Sequence, residues 1–236
     1  MNNDAVAFIV PSTTHDRDWK TIEETYLYSV LFSSLEHRPP SVSVSVYVGY
    51  DSNDPILSQE QERLKCNAVF LNFTIIWIEI VPDPGNVVKI WNKLAQVALS
   101  HNFDWLMVLG DDIRLPNDRD WLTLFQKGLR KQKYIGWAAG WSNNDDIATQ
   151  FLLHRTHWSI FEFIFPPLLK NWHCDNWLND VYSKKHKYWR KDYPLLNTGG
   201  NPRYIPNDHA KLCQMLVKRH KPEIQEFINL VSKINY

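Results

Sequence analysis

Apolar positions along the first 115 residues fall into blocks whose period switches between that of a strand and that of a helix. Ala5–Val10 (AVAFIV) is a short unbroken apolar run that stops at Pro11-Ser12-Thr13, the pattern of a buried strand entering a loop. From Asp18 to about His37 the spacing turns helical, and Pro39-Pro40 ends it. Ser41–Tyr50 (SVSVSVYVGY) alternates strictly over its first six residues, a strand that closes on Asp51. A charged helix is predicted from Pro55 to about Cys66, a β-branched strand over Thr74–Val81, and a helix over Asn86–Ser100 with Asn86 as its cap. The fourth strand, Trp105–Leu109, runs into Gly110-Asp111-Asp112.

Four strand-then-helix units in succession predict an α/β fold, a mostly parallel sheet with helices on both faces. Ligands of such sheets collect at the carboxyl ends of the strands. Here those ends carry Pro11-Ser12-Thr13, Asp51, the loop before Asn86, and Gly110-Asp111-Asp112, so four polar segments share one rim. Beyond residue 116 the pattern loosens. Asp118–Lys133 reads as an amphipathic helix, Ile135–Gly140 and Thr149–Leu153 as short strands, and Ser142–Asp146 (SNNDD) as a polar loop. Helices are expected over His157–Phe165 and Cys174–Lys184. A basic, aromatic stretch with Gly199-Gly200 in a turn follows, and a last helix from Asn207-Asp208, bent near His220. No linker divides the chain, so residues 1–236 are expected to form one domain, with a front half to residue 115 and a back half from 116.

Composition narrows the function classes. Lys plus Arg number 26, as do Asp plus Glu, so no net field draws the chain to nucleic acid or to an anionic membrane. Three widely spaced cysteines with no CxxC pair argue against a disulfide framework or a structural zinc site and suit a reducing compartment. The N-terminus lacks the pattern of a signal peptide, and nothing approaches the roughly 20 apolar residues of a membrane span, so a cytoplasmic protein is expected. Eleven tryptophans stand beside only eight glycines. Large flat rings fill cores and also pack against the apolar faces of sugar rings.

Two adjacent carboxylates at the end of a buried strand repel each other unless a cation, a donor cluster or water offsets them. Acids at this edge suit a hard ion such as Mg²⁺ or Mn²⁺, which takes oxygen ligands and is completed by substrate phosphates. The loop Pro11-Ser12-Thr13, Asp51, the helix with Lys89 and Asn92, and Gly110-Asp111-Asp112 together resemble a GT-A glycosyltransferase, and the layout is similar to small soluble glycosyltransferases of large DNA algal viruses. The resemblance implies a Rossmann-like three-layer α/β/α sandwich with an irregular C-terminal acceptor half. It further implies a nucleotide-diphosphate sugar donor, UDP-sugar favoured, a glycan or other hydroxyl acceptor, and Mn²⁺ or Mg²⁺. Gly110 stands where the family's DXD motif has its first acid. By the resemblance Asp112 holds the ion, Asp111 meets the ribose or sugar, and Pro11, Ser12, Thr13 and Asp51 border base and ribose. Arg17 and Lys89 would meet phosphate oxygens, with Asn92 beside them.

For the back half the resemblance implies an inverting displacement with Asp175 as general base, Cys174 replacing the first acid of the family's motif. Against that implied base, the residues also allow Asp175 as an N-cap, and Asp145 and Asp146 compete with it. His209 would be a third metal ligand, with His186 second in line. Trp141, Trp172 and Trp177 are either sugar platforms or core. Two other readings stand beside the transferase: a sugar-nucleotide pyrophosphorylase, against which the glycine-free loop PSTTHDRDW argues, and a non-catalytic carbohydrate-binding module.

Overall fold

The computed structural model describes residues 4–199 and 209–234. Its centre is strand β1 (Val6–Pro11), every residue of which is buried. Side chains of a strand alternate between faces. Val6, Phe8 and Val10 accordingly enter one apolar cluster, while Ala7 and Ile9 enter another on the opposite face. A strand that must bury both faces has no polar positions to alternate, which explains the unbroken run AVAFIV.

Strands β2 (Val44–Asp51), β3 (Thr74–Ile80) and β4 (Trp105–Val108) join β1 in parallel, with helices α2 (Glu60–Val69) and α3 (Val87–Ser100) in the crossovers. A two-residue strand β5 (Ile113–Arg114) and helix α4 (Trp121–Lys131) lead to β6 (Trp137–Trp141) and β7 (Phe151–His154). β7 inserts antiparallel between β4 and β6, and β8 (Lys187–Pro194) closes the edge parallel to β6, giving the order β3-β2-β1-β4-β7-β6-β8. The sheet is therefore mostly parallel and covered on both faces, as expected.

Three elements depart from the sequence expectations for identifiable reasons. The helix expected over Asp18–His37 is broken into a 3₁₀ turn (Ile22–Glu24), a π-helical turn (Leu27–Phe32) and a short α1 (Ser33–His37). Hydroxyls compete with the ladder there: Thr25 Oγ1 donates to the Ile22 carbonyl, Ser29 Oγ to that of Thr25 and Ser34 Oγ to that of Leu31. α2 starts at Glu60 and not at Pro55, because the Asp54 carboxylate holds the Ile56 and Leu57 amides in a turn. β8 lies in the basic, aromatic stretch that showed no strand signal; it is an edge strand, where lysine and arginine protect an unpaired backbone.

Helices α5 (Arg155–Phe161) and α6 (Cys174–Val181) cover the second face together with α7 (Ala210–Ile234), a continuous helix that contains His220 and Pro222. The start expected for α7 at Asn207-Asp208 falls outside the described residues, as does Gly200. Trp177 is fully buried among Phe161, Phe163 and His220, so it is core.

Gly136, ahead of β6, has φ +111°, and a Cβ there would collide with the His186 carbonyl oxygen. Gly136→Ala is expected to lower the unfolding free energy by about 3 kcal/mol, read from urea denaturation, because both backbone strain and a backbone clash must be relieved.

Candidate active site

The carboxyl ends of β1, β2 and β4 open onto two adjoining cavities that share Pro11 and Val87. The smaller encloses about 350 Å³. Ser12, Thr13 and Asp51 border it on one side, and the loop Pro82–Asn86 with Ile90 of α3 closes the other. The larger, about 700 Å³, is floored by Gly110, Asp111 and Asp112 and reaches Trp172 and Asp175 at the start of α6. Pro11, Ser12, Thr13, Asp51, Asp111, Asp112 and Asp175 thus lie along one trench, although up to 164 positions separate them in sequence.

The loop after β1 is held by an acid that sequence reasoning missed. Asp54 is fully buried and accepts from the Thr14 amide (2.7 Å), Thr14 Oγ1 (2.5 Å) and Thr13 Oγ1 (3.2 Å). The same carboxylate holds the Ile56 and Leu57 amides at 3.1 and 2.8 Å. It ties the ends of β1 and β2 into one unit and so sets the shape of the smaller cavity. Its spacing three residues beyond Asp51, just before Pro55, was the available signal. Asp54→Ala is expected to cost about 3 kcal/mol of stability, since charge-assisted bonds to buried amides are lost together. Thermal unfolding checks the cost.

The two adjacent acids have different surroundings. Asp111 is 1% exposed and accepts from Ser12 Oγ at 2.7 Å, joining the ends of β4 and β1. Asp112 turns its carboxylate into a slot between two glycines. A Cβ at Gly110 would stand 2.7 Å from Asp112 Oδ1, and one at Gly199 would overlap Oδ2. Glycine at 110, the departure from the DXD pattern, therefore leaves space for the following acid. The slot is closed by a segment that showed no sequence signal: β9 (Leu196–Asn197) pairs antiparallel with β5, and the Thr198 amide and Oγ1 donate to the Asp112 carbonyl at 3.0 and 2.9 Å.

Asp175 sits in the first turn of α6. The residue capping that helix is His173, in a left-handed conformation (φ 70°) without a side-chain cap, so the N-cap alternative for Asp175 is not realised. One Asp175 oxygen accepts from the Asn176 amide at 2.9 Å. Burial raises its carboxyl above the ordinary value, opposed by first-turn amides and by His173. Asp51 is likewise raised by burial, and the charges of His15 and Lys89 act against that rise. The competing acids lie outside both cavity linings. Asp145 accepts from the Trp141 indole (3.0 Å) and lies 3.7 Å from the Lys191 ammonium, and Asp146 is exposed.

Other expected residues are placed elsewhere. The Arg17 guanidinium packs over Trp19 and Tyr26, at 5.5 and 5.7 Å from the ring centres, outside both linings. Lys89 Nζ donates to the Val81 carbonyl at 3.2 Å and faces Asp83 at 3.8 Å, again outside both linings. Asn92 is structural: its oxygen accepts from the Ile164 and Phe165 amides and its nitrogen donates to the Phe165 carbonyl. His209, ahead of α7, and His186, against Gly136, lie outside both linings as well. Among the described residues no three His, Cys, Asp or Glu side chains gather as a ready-made metal cage. Of the tryptophans singled out, Trp172 alone lines the larger cavity, 46% exposed; Trp91 joins it, its indole donating to the Leu109 carbonyl.

This sheet order, seven mostly parallel strands covered on both faces, is that of a GT-A-like, Rossmann-like mixed α/β fold. Among solved structures the chain is similar to S. aureus TarS in complex with UDP, at 13% identity and a TM-score of 0.60 over 95% of this chain and 71% of that one. It is also similar to the mannosyltransferase PcManGT from Pyrobaculum calidifontis in complex with GDP-Man and Mn²⁺ (13% identity, TM-score 0.57, 92% of this chain). The chain spans 62% of the length of that mannosyltransferase. A cytidylyltransferase from Leptospira borgpetersenii matches at 13% identity and TM-score 0.51, over 98% of this chain and 95% of that one. No protein-family model and no curated protein matches the sequence. At these identities the likeness is one of fold.

Proposed function

We propose that the protein is a metal-dependent, inverting glycosyltransferase that moves a sugar from a nucleotide-diphosphate sugar, UDP-sugar favoured, to an acceptor hydroxyl. The observation that carries this reading is the trench. A cavity of about 350 Å³ bordered by Ser12, Thr13 and Asp51 adjoins a larger one whose lining includes Asp111, Asp112 and Asp175.

The donor set of Asp112 with Asp111 fits a hard divalent ion that fills its remaining positions with diphosphate oxygens and water. When bound, such an ion neutralises the charge that builds on the leaving diphosphate. The proposed ion site rests on Asp112 with Asp111 alone. Lys89 and Arg17 lie outside both linings, which leaves that charge compensation to the ion.

In the proposed reaction the acceptor oxygen bonds to the anomeric carbon while the bond from that carbon to the diphosphate oxygen breaks, its electron pair leaving with the nucleoside diphosphate. Asp175 takes the acceptor proton. Its raised affinity for protons suits it to that role better than an ordinary exposed carboxylate.

The match to a cytidylyltransferase keeps nucleotidyl transfer as the second reading. Incubation with UDP-sugars and Mn²⁺ separates the two. Release of UDP with slow hydrolysis to free sugar supports the glycosyltransferase. Pyrophosphate release from CTP or UTP with a sugar phosphate, and no UDP release from UDP-sugars, would replace it with the second reading.

A further inference from the structure

The larger cavity carries a repeated device. Six carboxamides line it; Asn171 gives its NH₂ to the Gly85 carbonyl, and four of the others have their oxygen tied to a backbone N–H. Gln150 Oε1 accepts from Gly110 (3.1 Å) and Asn143 Oδ1 from Asn197 (2.9 Å). Asn144 Oδ1 accepts from Asp146 and Ile147 (2.9 and 3.1 Å), and Asn197 Oδ1 from Gly199 (3.0 Å). A backbone N–H can meet only the oxygen of an amide, so these contacts fix which way each side chain is turned. Among the described residues no hydrogen bond engages the NH₂ end of any of the four, which leaves two donors on each.

With Asp112 and Asp111 assigned to the ion, the carboxylate acceptor left in the same cavity is Asp175, and the exposed aromatic side chain is Trp172. A sugar hydroxyl is at once a donor and an acceptor, so it can give its proton to a carboxylate and receive one from an amide NH₂. The apolar face of a sugar ring can pack on an indole. An anionic ring gains the amide donors but faces the Asp175 carboxylate in a recessed site, where like charges repel more strongly than in open water.

We infer that the larger cavity is an acceptor site for an uncharged glycan, read by the NH₂ groups of Gln150, Asn143, Asn144 and Asn197 with Trp172 as the ring platform. This deepens the glycosyltransferase reading and rests on it. Glycans carrying carboxylate or phosphate groups at the bound ring are excluded, so the residue being extended is a neutral sugar. The amides act through their nitrogens, while their oxygens have structural roles.

Calorimetry on the full chain saturated with UDP and Mn²⁺ tests the inference, with glucan, mannan and galactan trisaccharides and their uronate and 6-phosphate counterparts as probes. At least one neutral trisaccharide is expected to bind, and its charged counterparts to bind about tenfold more weakly or worse. Asn144→Asp keeps an oxygen for the Asp146 and Ile147 amides but removes the NH₂, so it separates reading from folding. It should weaken the neutral glycan about tenfold, with the melting temperature and UDP affinity retained. Trp172→Ala should weaken it by a similar factor. The inference is overturned if a uronate or phosphorylated sugar binds as tightly as its neutral parent, if no neutral trisaccharide binds at millimolar concentration, or if Asn144→Asp leaves neutral affinity unchanged. Failure of the chain to bind UDP at all is a separate result and strikes the glycosyltransferase reading.

Discussion

Asp112→Asn is expected to remove the Mn²⁺-dependent part of UDP-sugar binding, lowering affinity by about two orders of magnitude in the presence of the ion. Asparagine fits the slot between Gly110 and Gly199 as the native carboxylate does, so the variant removes charge with little change of shape. Asp112→Ala should behave the same way. Gly199→Ala should reproduce the defect sterically, because its Cβ would displace Asp112 Oδ2. Calorimetry with Mn²⁺ and with EDTA is the measurement. In EDTA, native and Asp112→Asn chains should converge, since the substitution leaves the proposed base and ribose contacts around Ser12 and Asp51 untouched. Equal affinities in Mn²⁺ would sink the proposed ion site. Asp111→Asn is expected to be milder in binding and costlier in stability, because Asp111 is tied to Ser12 Oγ and is buried.

The contrast between these neighbouring acids shows where sequence reading stops. That both sit at the end of a buried strand was legible, because β1 and β4 bury both faces and announce themselves as apolar runs. Which of the two is committed to Ser12 was not, since that depends on the register between β4 and β1 and on a contact across 99 positions. The front half of the fold was readable for the same reason, as its crossovers are local. The back half was less so. β8 carries lysine and arginine because it is an edge, β5 and β9 are two residues each, and the clamp of Thr198 on Asp112 spans 86 positions. The carboxamides left only one trace, the polar loop SNNDD. Gln150 left none, because nothing in a single glutamine marks the Gly110 amide that turns it. Lys89 is a different case: its cationic charge suggested phosphate, and its ammonium donates to the Val81 carbonyl beside Asp83, neighbours that no local pattern in the sequence marks.

Asp175→Asn is expected to leave UDP-sugar affinity unchanged and to lower kcat by about a thousandfold, the usual worth of a positioned general base. Asparagine keeps an oxygen for the Asn176 amide, so the first turn of α6 and the wall of the cavity persist. The pH dependence follows from the direction of the shift. Burial raises the Asp175 carboxyl, and only the ionised form can accept a proton, so the rate should fall as pH drops through a value above that of an exposed aspartate. That acidic limb should vanish from the residual activity of the variant. The same shift also fixes a sign for stability. A carboxyl whose folded-state value lies above its unfolded one stabilises the fold when protonated, and that contribution is lost as pH rises through the folded value. At neutral pH the ionised Asp175 therefore opposes folding, and Asp175→Asn should unfold at a higher temperature than the native chain. A purely structural acid in the first turn of α6 predicts the reverse, a lower melting temperature with turnover retained. Measuring kcat and thermal unfolding on this one variant separates the two roles, because an acid kept for chemistry is removed with a gain in stability and a loss of transfer.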